Sequence, residues 1–165
     1  MHIREQVVTT AGPGRAWELI ADVSIHGLWN PHVVDTQAWT AASPGVGSRY
    51  RVTYELSGRR NDYDAEIVEW VPEQRFGARL EERVKGDGAN LARYVVETYT
   101  IERRGSGTRV VHDVRIHHDG LPWYLRALIA LVMATGHPVG KTVMQQFAEP
   151  AESEGSPAAK PARAS

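Results

Sequence analysis

The chain has 165 residues, 19 lysines and arginines against 20 aspartates and glutamates, and no cysteine. A domain of about this length buries roughly 68–70% of its unfolded surface, so a packed core is available. The formal net charge of −1 excludes a general nucleic-acid binder, and the missing thiols exclude a disulfide scaffold, a thiol nucleophile and a thiolate metal site.

The opening Met1-His2-Ile3-Arg4-Glu5-Gln6 has no apolar core of signal-peptide length, which gives a cytoplasmic expectation. His2 to Thr9 is β-rich and reads as a first strand, stopped by Ala11-Gly12-Pro13-Gly14. Pro13 suits the first turn of a helix, because its φ is preset and it has no N–H to leave unpaired. Ala16, Trp17, Leu19 and Ile20 give that helix a buried side through Ala21. A second helical piece over Ser24 to Trp29 ends before Pro31.

From Val33 to His118 the chain reads as about six consecutive strands. The turn signals are Pro44-Gly45-Val46-Gly47, Ser57-Gly58-Arg59, Pro72-Glu73, Gly86-Asp87-Gly88 and Gly105-Ser106-Gly107. No helical period interrupts them, so the sheet is an antiparallel meander and the class is α+β. Leu121 to Phe147 reads as one long helix, kinked or broken at Thr135-Gly136-His137-Pro138. Residues 150–165 hold nothing apolar larger than Ala except Pro, which predicts a disordered tail behind one domain at 1–149.

Tight hairpins put one apolar set on one side of the sheet. It contains Tyr50, Val52, Tyr54 and Leu56; Tyr63, Ala65, Ile67 and Glu69; and Phe76, Ala78, Leu80 and Glu82. It continues with Val95, Glu97, Tyr99 and Ile101, then Val110, His112, Val114 and Ile116. The other side carries charges such as Arg49, Asp64, Arg79 and Arg109. A sheet with one apolar side needs a cover, and the long helix supplies it through Leu125, Leu128, Ile129, Val132 and Met133. A curved sheet gripping one helix leaves room for a ligand between them.

The inward side is dotted with polar groups. Tyr99 lies opposite His112, with Glu97 two residues along, and a buried carboxylate needs partners or water. Two readings of Glu97, Tyr99 and His112 stand. They are an acid/base cluster that moves a proton to or from an enolisable ketone, or a hydrogen-bonded patch in a semi-solvated cavity. Tyr50, Tyr54 and Tyr63, with Phe76, Leu80, Leu125, Leu128 and Val132, are candidate ligand-lining residues, or simply core. His117 and His118 point to opposite faces of a strand, so no metal site is expected. Leu121-Pro122-Trp123-Tyr124 carries a membrane-contact reading. However, an interfacial helix needs a basic face, and Arg126 alone does not make one, so core packing is favoured. No cofactor motif is present and none is expected.

Several segments resemble the polyketide cyclase/dehydrase and lipid-transport family of the START-related SRPBCC superfamily. They are Ala11-Gly12-Pro13-Gly14-Arg15-Ala16-Trp17-Glu18-Leu19-Ile20-Ala21-Asp22, Trp29-Asn30-Pro31, Gly45-Val46-Gly47-Ser48-Arg49, Val68-Glu69-Trp70-Val71-Pro72 with Arg75-Phe76, and Tyr99-Thr100-Ile101-Glu102 with Gly107-Thr108-Arg109-Val110. The resemblance covers about residues 3–148. It implies a helix-grip fold: a seven-stranded curved antiparallel sheet around a long C-terminal helix, with two short helices after the first strand. It also implies a small hydrophobic ligand, such as an aromatic polyketide, isoprenoid, sterol or lipid. Three readings of the whole chain stand: a cyclase or dehydratase, a carrier or regulator without chemistry, or an interaction module with a vestigial cavity. None of the segments that resemble the family is a catalytic set.

Overall fold

The alternating residues from Val33 onward fold into successive strands, and the N-terminal strand completes the sheet they form. The computed structural model describes residues 2–38, 43–56, 58–83, 93–118 and 142–153. The strands are β1 (His2–Thr9), β2 (Val33–Ala38), β3 (Arg49–Leu56), β4 (Arg59–Val71), β5 (Arg75–Glu82), β6 (Arg93–Arg104) and β7 (Gly107–His118). They form one seven-stranded sheet in the order β1-β7-β6-β5-β4-β3-β2, with every neighbouring pair antiparallel. From β2 to β7 this is the expected meander. The curved sheet with its few helices is the helix-grip α+β fold.

Two glycines make this closure possible. Gly105 has φ 60° in the two-residue turn between β6 and β7, the left-handed region that tight hairpins demand. Gly107 packs against the Thr9 carbonyl at the end of β1, where a side chain has no room.

Helix α1 (Pro13–Ala21) begins at the expected proline and buries Ala16, Leu19 and Ile20. A short 3-10 helix (Val23–Leu28) follows, where the second helical piece was expected. It finishes α1 chemically. Helix ends leave carbonyls without intrahelical partners. Here Trp29 Nε1–H donates to the Leu19 carbonyl at 3.0 Å, and His26 Nε2 bonds the Ile20 carbonyl at 2.7 Å.

Helix α2 (Val143–Glu152) opens with a capping box. Thr142 accepts from the Gln145 N–H, and the Gln145 side chain accepts from the Thr142 N–H. Met144, Phe147 and Ala151 form its buried side, and it lies against β1 and α1. The helix therefore runs past residue 150, where the tail was expected to begin, because Ala151 extends the buried stripe by another turn. The inward stripe expected at Leu125, Leu128, Ile129, Val132 and Met133 and the break before Pro138 lie outside the described residues, as does 154–165.

The core sits on the inner face of the sheet. Tyr50, Val52, Ala65, Ile67, Phe76, Ala78, Leu80, Tyr99, Ile101 and Val110 are buried there, as the alternation predicts. Glu69 is the exception. The β4–β5 register shifts between Ile67 and Glu69, so Val68 is an extra residue and the alternation flips after it. Trp70 then faces inward beside Phe76, with ring centroids 5.9 Å apart. Glu69 faces outward, opposite Gly77, and pairs with Arg75 at 3.1 Å. Other arginines of the outer face also meet carboxylates: Arg49 with Glu66, Arg51 with Asp64, Arg109 with Glu102.

Candidate functional site

Strand alternation places Glu97 and Tyr99 on the inner face of β6, and the register sets Tyr99 directly opposite His112 of β7. The Tyr99 and His112 rings stack with centroids 4.3 Å apart and planes 5° from parallel. Tyr54 reaches the same point from β3. Its hydroxyl donates to Glu97 Oε1 at 3.3 Å, and the Tyr99 hydroxyl donates to Oε2 at 3.5 Å. Both bonds are long. His112 Nε2 stands 3.8 Å from Glu97 Oε2, an ion-pair contact when the imidazole is protonated and too far for a hydrogen bond. His112 is 8% exposed, and its Nε2 is buried with no hydrogen-bond partner among the described residues.

The charges follow from these neighbours. Burial first, and then the Glu97 charge, pushes the Tyr54 and Tyr99 hydroxyls well above the ordinary phenol range. The same two causes push Tyr50 up. All three stay protonated and able to donate. Burial alone would raise the Glu97 carboxyl, but the adjacent His112, then His26 and the Tyr54 hydroxyl, outweigh it and hold Glu97 below its usual value. At neutral pH the cluster is a carboxylate ringed by donors. Such a set is able to bind a polar head group, or to take and return a proton beside a ligand carbonyl.

The expected trio Glu97, Tyr99 and His112 thus comes together, with Tyr54 added to it. Tyr63 packs edge-on to Tyr54, with centroids 5.6 Å apart. Phe76 lies deeper, among Trp70, Tyr99 and His26, and Leu80 is buried in the same core. Leu125, Leu128 and Val132 fall outside the described residues. Among the described residues, no three histidines or carboxylates converge as a metal site, and no helix is long and apolar enough to cross a membrane.

Two polar residues of this region escaped the sequence reading. His26 is buried beside Trp29, and burial lowers its pKa although its bond to the Ile20 carbonyl works the other way. A carbonyl only accepts, so Nε2 of the neutral ring carries the proton. Glu5 of β1 stands directly across from His112, and its Oε2 is buried without a partner. The signal for Glu5 was the alternation of Ile3, Glu5, Val7 and Thr9 against Arg4, Gln6 and Val8.

A family model described as polyketide cyclase/dehydrase and lipid transport matches residues 1–147. No curated protein matches the chain. Among solved structures, protein CV1439 from Chromobacterium violaceum superposes with a TM-score of 0.63 at 18% identity, covering 93% of this chain and 98% of that one. Protein TTHA0849 from Thermus thermophilus gives a TM-score of 0.59 at 22% identity, covering 92% and 91%. A START superfamily protein from Mycobacterium smegmatis gives 0.59 at 14% identity, covering 81% and 89%. At such identities these likenesses speak to the fold, whereas the family match spans nearly all of the described strands and helices. The chain belongs to the polyketide cyclase/dehydrase and lipid-transport family.

Proposed function

We propose that the protein binds a small hydrophobic ligand against the inner face of its sheet, in the class of aromatic polyketides, isoprenoids, sterols or lipids. The Tyr54–Glu97–Tyr99–His112 cluster would hold the ligand's polar group. Leu125, Leu128 and Val132 would cover its apolar body. One observation carries this reading: among the described residues, His112 Nε2 is buried on that face with no hydrogen-bond partner. Finished cores pair their buried polar groups, because an unmade bond costs about 1–3 kcal/mol. A ligand hydroxyl or carbonyl would supply the missing partner. Family membership supports the same reading.

A second reading makes the site catalytic. It is favoured by the ionised Glu97 next to His112 and two protonated tyrosines. Glu97 or His112 would take the proton next to a ketone, while a tyrosine O–H donates to the carbonyl oxygen as negative charge develops. Cyclisation and dehydration of an aromatic polyketide need such steps. Native mass spectrometry of freshly purified protein tests the binding reading. A retained species that leaves on denaturation is expected, and its mass names the chemical class. A bare chain that also takes up no apolar dye overturns it. Once the ligand is known, turnover lost in both His112→Ala and Glu97→Gln supports the catalytic reading. Tight binding without turnover makes the protein a carrier.

A further inference from the structure

The inner face carries a second carboxyl group besides that of the cluster. Across the sheet, Glu5 of β1, His112 of β7 and Tyr99 of β6 form one continuous row, with Glu97 at the next inward position of β6. Two carboxylates therefore flank one imidazole. Glu5 lies near enough to Tyr99 to be among the charges acting on its hydroxyl. Among the described residues, the buried side-chain polar atoms left without a partner are Glu5 Oε2 and His112 Nε2. They belong to neighbours on the same face.

The paired arginines of the described strands are elsewhere. Arg49, Arg51, Arg75, Arg79, Arg109 and Arg115 belong to the outer face, each in an ion pair with a carboxylate. Away from the strand ends, the described inward positions hold no arginine or lysine. Among the described residues, the region thus has acceptors to spare and no fixed positive charge.

That imbalance selects a head group. We propose that Glu5 and Glu97, on either side of His112, make this a site for a hydrophobic ligand whose head donates hydrogen bonds, a hydroxyl or an ammonium, and bar a carboxylate or phosphate head. The inference rests on the binding reading above and adds Glu5 to it as a specificity-determining residue. A hydroxyl donates to Glu5 Oε2 and suits His112 Nε2 in either tautomer, because it both donates and accepts. An ammonium donates and also offsets the carboxylates. An anionic head loses its water and meets two like charges in a poorly screened interior.

Displacement of Nile red by three probes sharing one naphthyl body tests this: naphthol, naphthylmethylamine and naphthoate. The ammonium and carboxylate have similar dehydration costs, so their ratio isolates the field of the site. In the wild-type protein the amine and naphthol should displace the dye at concentrations about tenfold or more below that of naphthoate. Glu5→Gln and Glu97→Gln, each near-isosteric, should each tighten naphthoate and weaken the amine, shrinking the ratio. A preferred naphthol then identifies a neutral hydroxyl ligand, and a preferred amine a cationic one. Naphthoate displacing as well as the amine in the wild type overturns the charge selection while leaving ligand binding intact. A protein that takes up neither Nile red nor any probe overturns the binding reading along with it.

Discussion

Replacing Trp29 with phenylalanine tests the frame that holds the site. Trp29 is 1% exposed and connects three parts of the fold. Its indole N–H donates to the Leu19 carbonyl at the end of α1. Its ring meets Phe147 of α2 and Tyr99 of β6 edge-on, with centroids 5.2 and 6.0 Å away. Trp29→Phe keeps one ring and removes the N–H. The Leu19 carbonyl is then buried without that partner, at a cost of about 1–3 kcal/mol. The volume lost with the smaller ring adds about 1 kcal/mol at roughly 24 cal/mol per Å³ of unfilled cavity. The sum, about 2–4 kcal/mol, corresponds to a fall in Tm of roughly 5–15 °C for a domain of this size. Thermal melts by circular dichroism, with urea midpoints at unchanged m, measure it. Trp17→Phe is the control, because Trp17 is half-buried and its edge-on contact with Trp70 survives in a phenylalanine. A Trp29→Phe melt no lower than that of Trp17→Phe would mean that the Leu19 bond and the ring contacts of Trp29 do not hold the frame together.

Other perturbations follow from single features. A Cβ at Gly107 would run into the Thr9 carbonyl oxygen and stand 3.3 Å from Thr10 Cα. Gly107→Ala should cost about 3 kcal/mol and expose β1 amides to hydrogen exchange first; a neutral urea midpoint would contradict the packing of β1 on β7. Glu73 has φ 58° in the turn closed by Gln74 N–H to the Val71 carbonyl, a position that suits Asn or Gly. Glu73→Asn should gain about 0.5–1 kcal/mol, or about 2–4 °C in Tm, and Glu73→Val should lose stability. His26 is held neutral by burial, below its ordinary pKa, so the unfolded chain binds a proton the folded chain refuses. Stability fully present above about pH 6.5 is lost on acidification from there, and Glu97, also lowered, adds a loss in the same direction below about pH 4.5. Urea midpoints should therefore fall between about pH 7 and pH 5, and His26→Gln, which keeps a donor for the Ile20 carbonyl, should flatten that segment of the profile.

The sheet was legible because its hairpins are tight. Once Gly105-Ser106-Gly107 is read as a two-residue turn, counting outward puts Tyr99 opposite His112 with no freedom left. The same counting failed at Glu69, because alternation does not reveal an inserted residue, and the bulge at Val68 exchanges Glu69 and Trp70 between faces. Glu5 was illegible for another reason. Its strand pairs with one more than a hundred residues away, and local turn chemistry says nothing about such a partner. Its inward position was readable from alternation in β1, but its place beside His112 was not. His26 does not belong to the strand pattern at all. Its role comes from the unpaired carbonyls at the end of α1, which exist only once α1 and the 3-10 helix are folded against each other.

On the proposed function, the polar inner face, and not another surface, receives the ligand. The histidine ring protons report on it directly, because His112 lies on the inner face and His117 on the outer one, stacked on Tyr94 with centroids 4.4 Å apart. Proton NMR during titration with naphthol should move and broaden the His112 ring resonances while those of His117 stay fixed. Saturating movement of His117 with His112 unchanged would contradict the account.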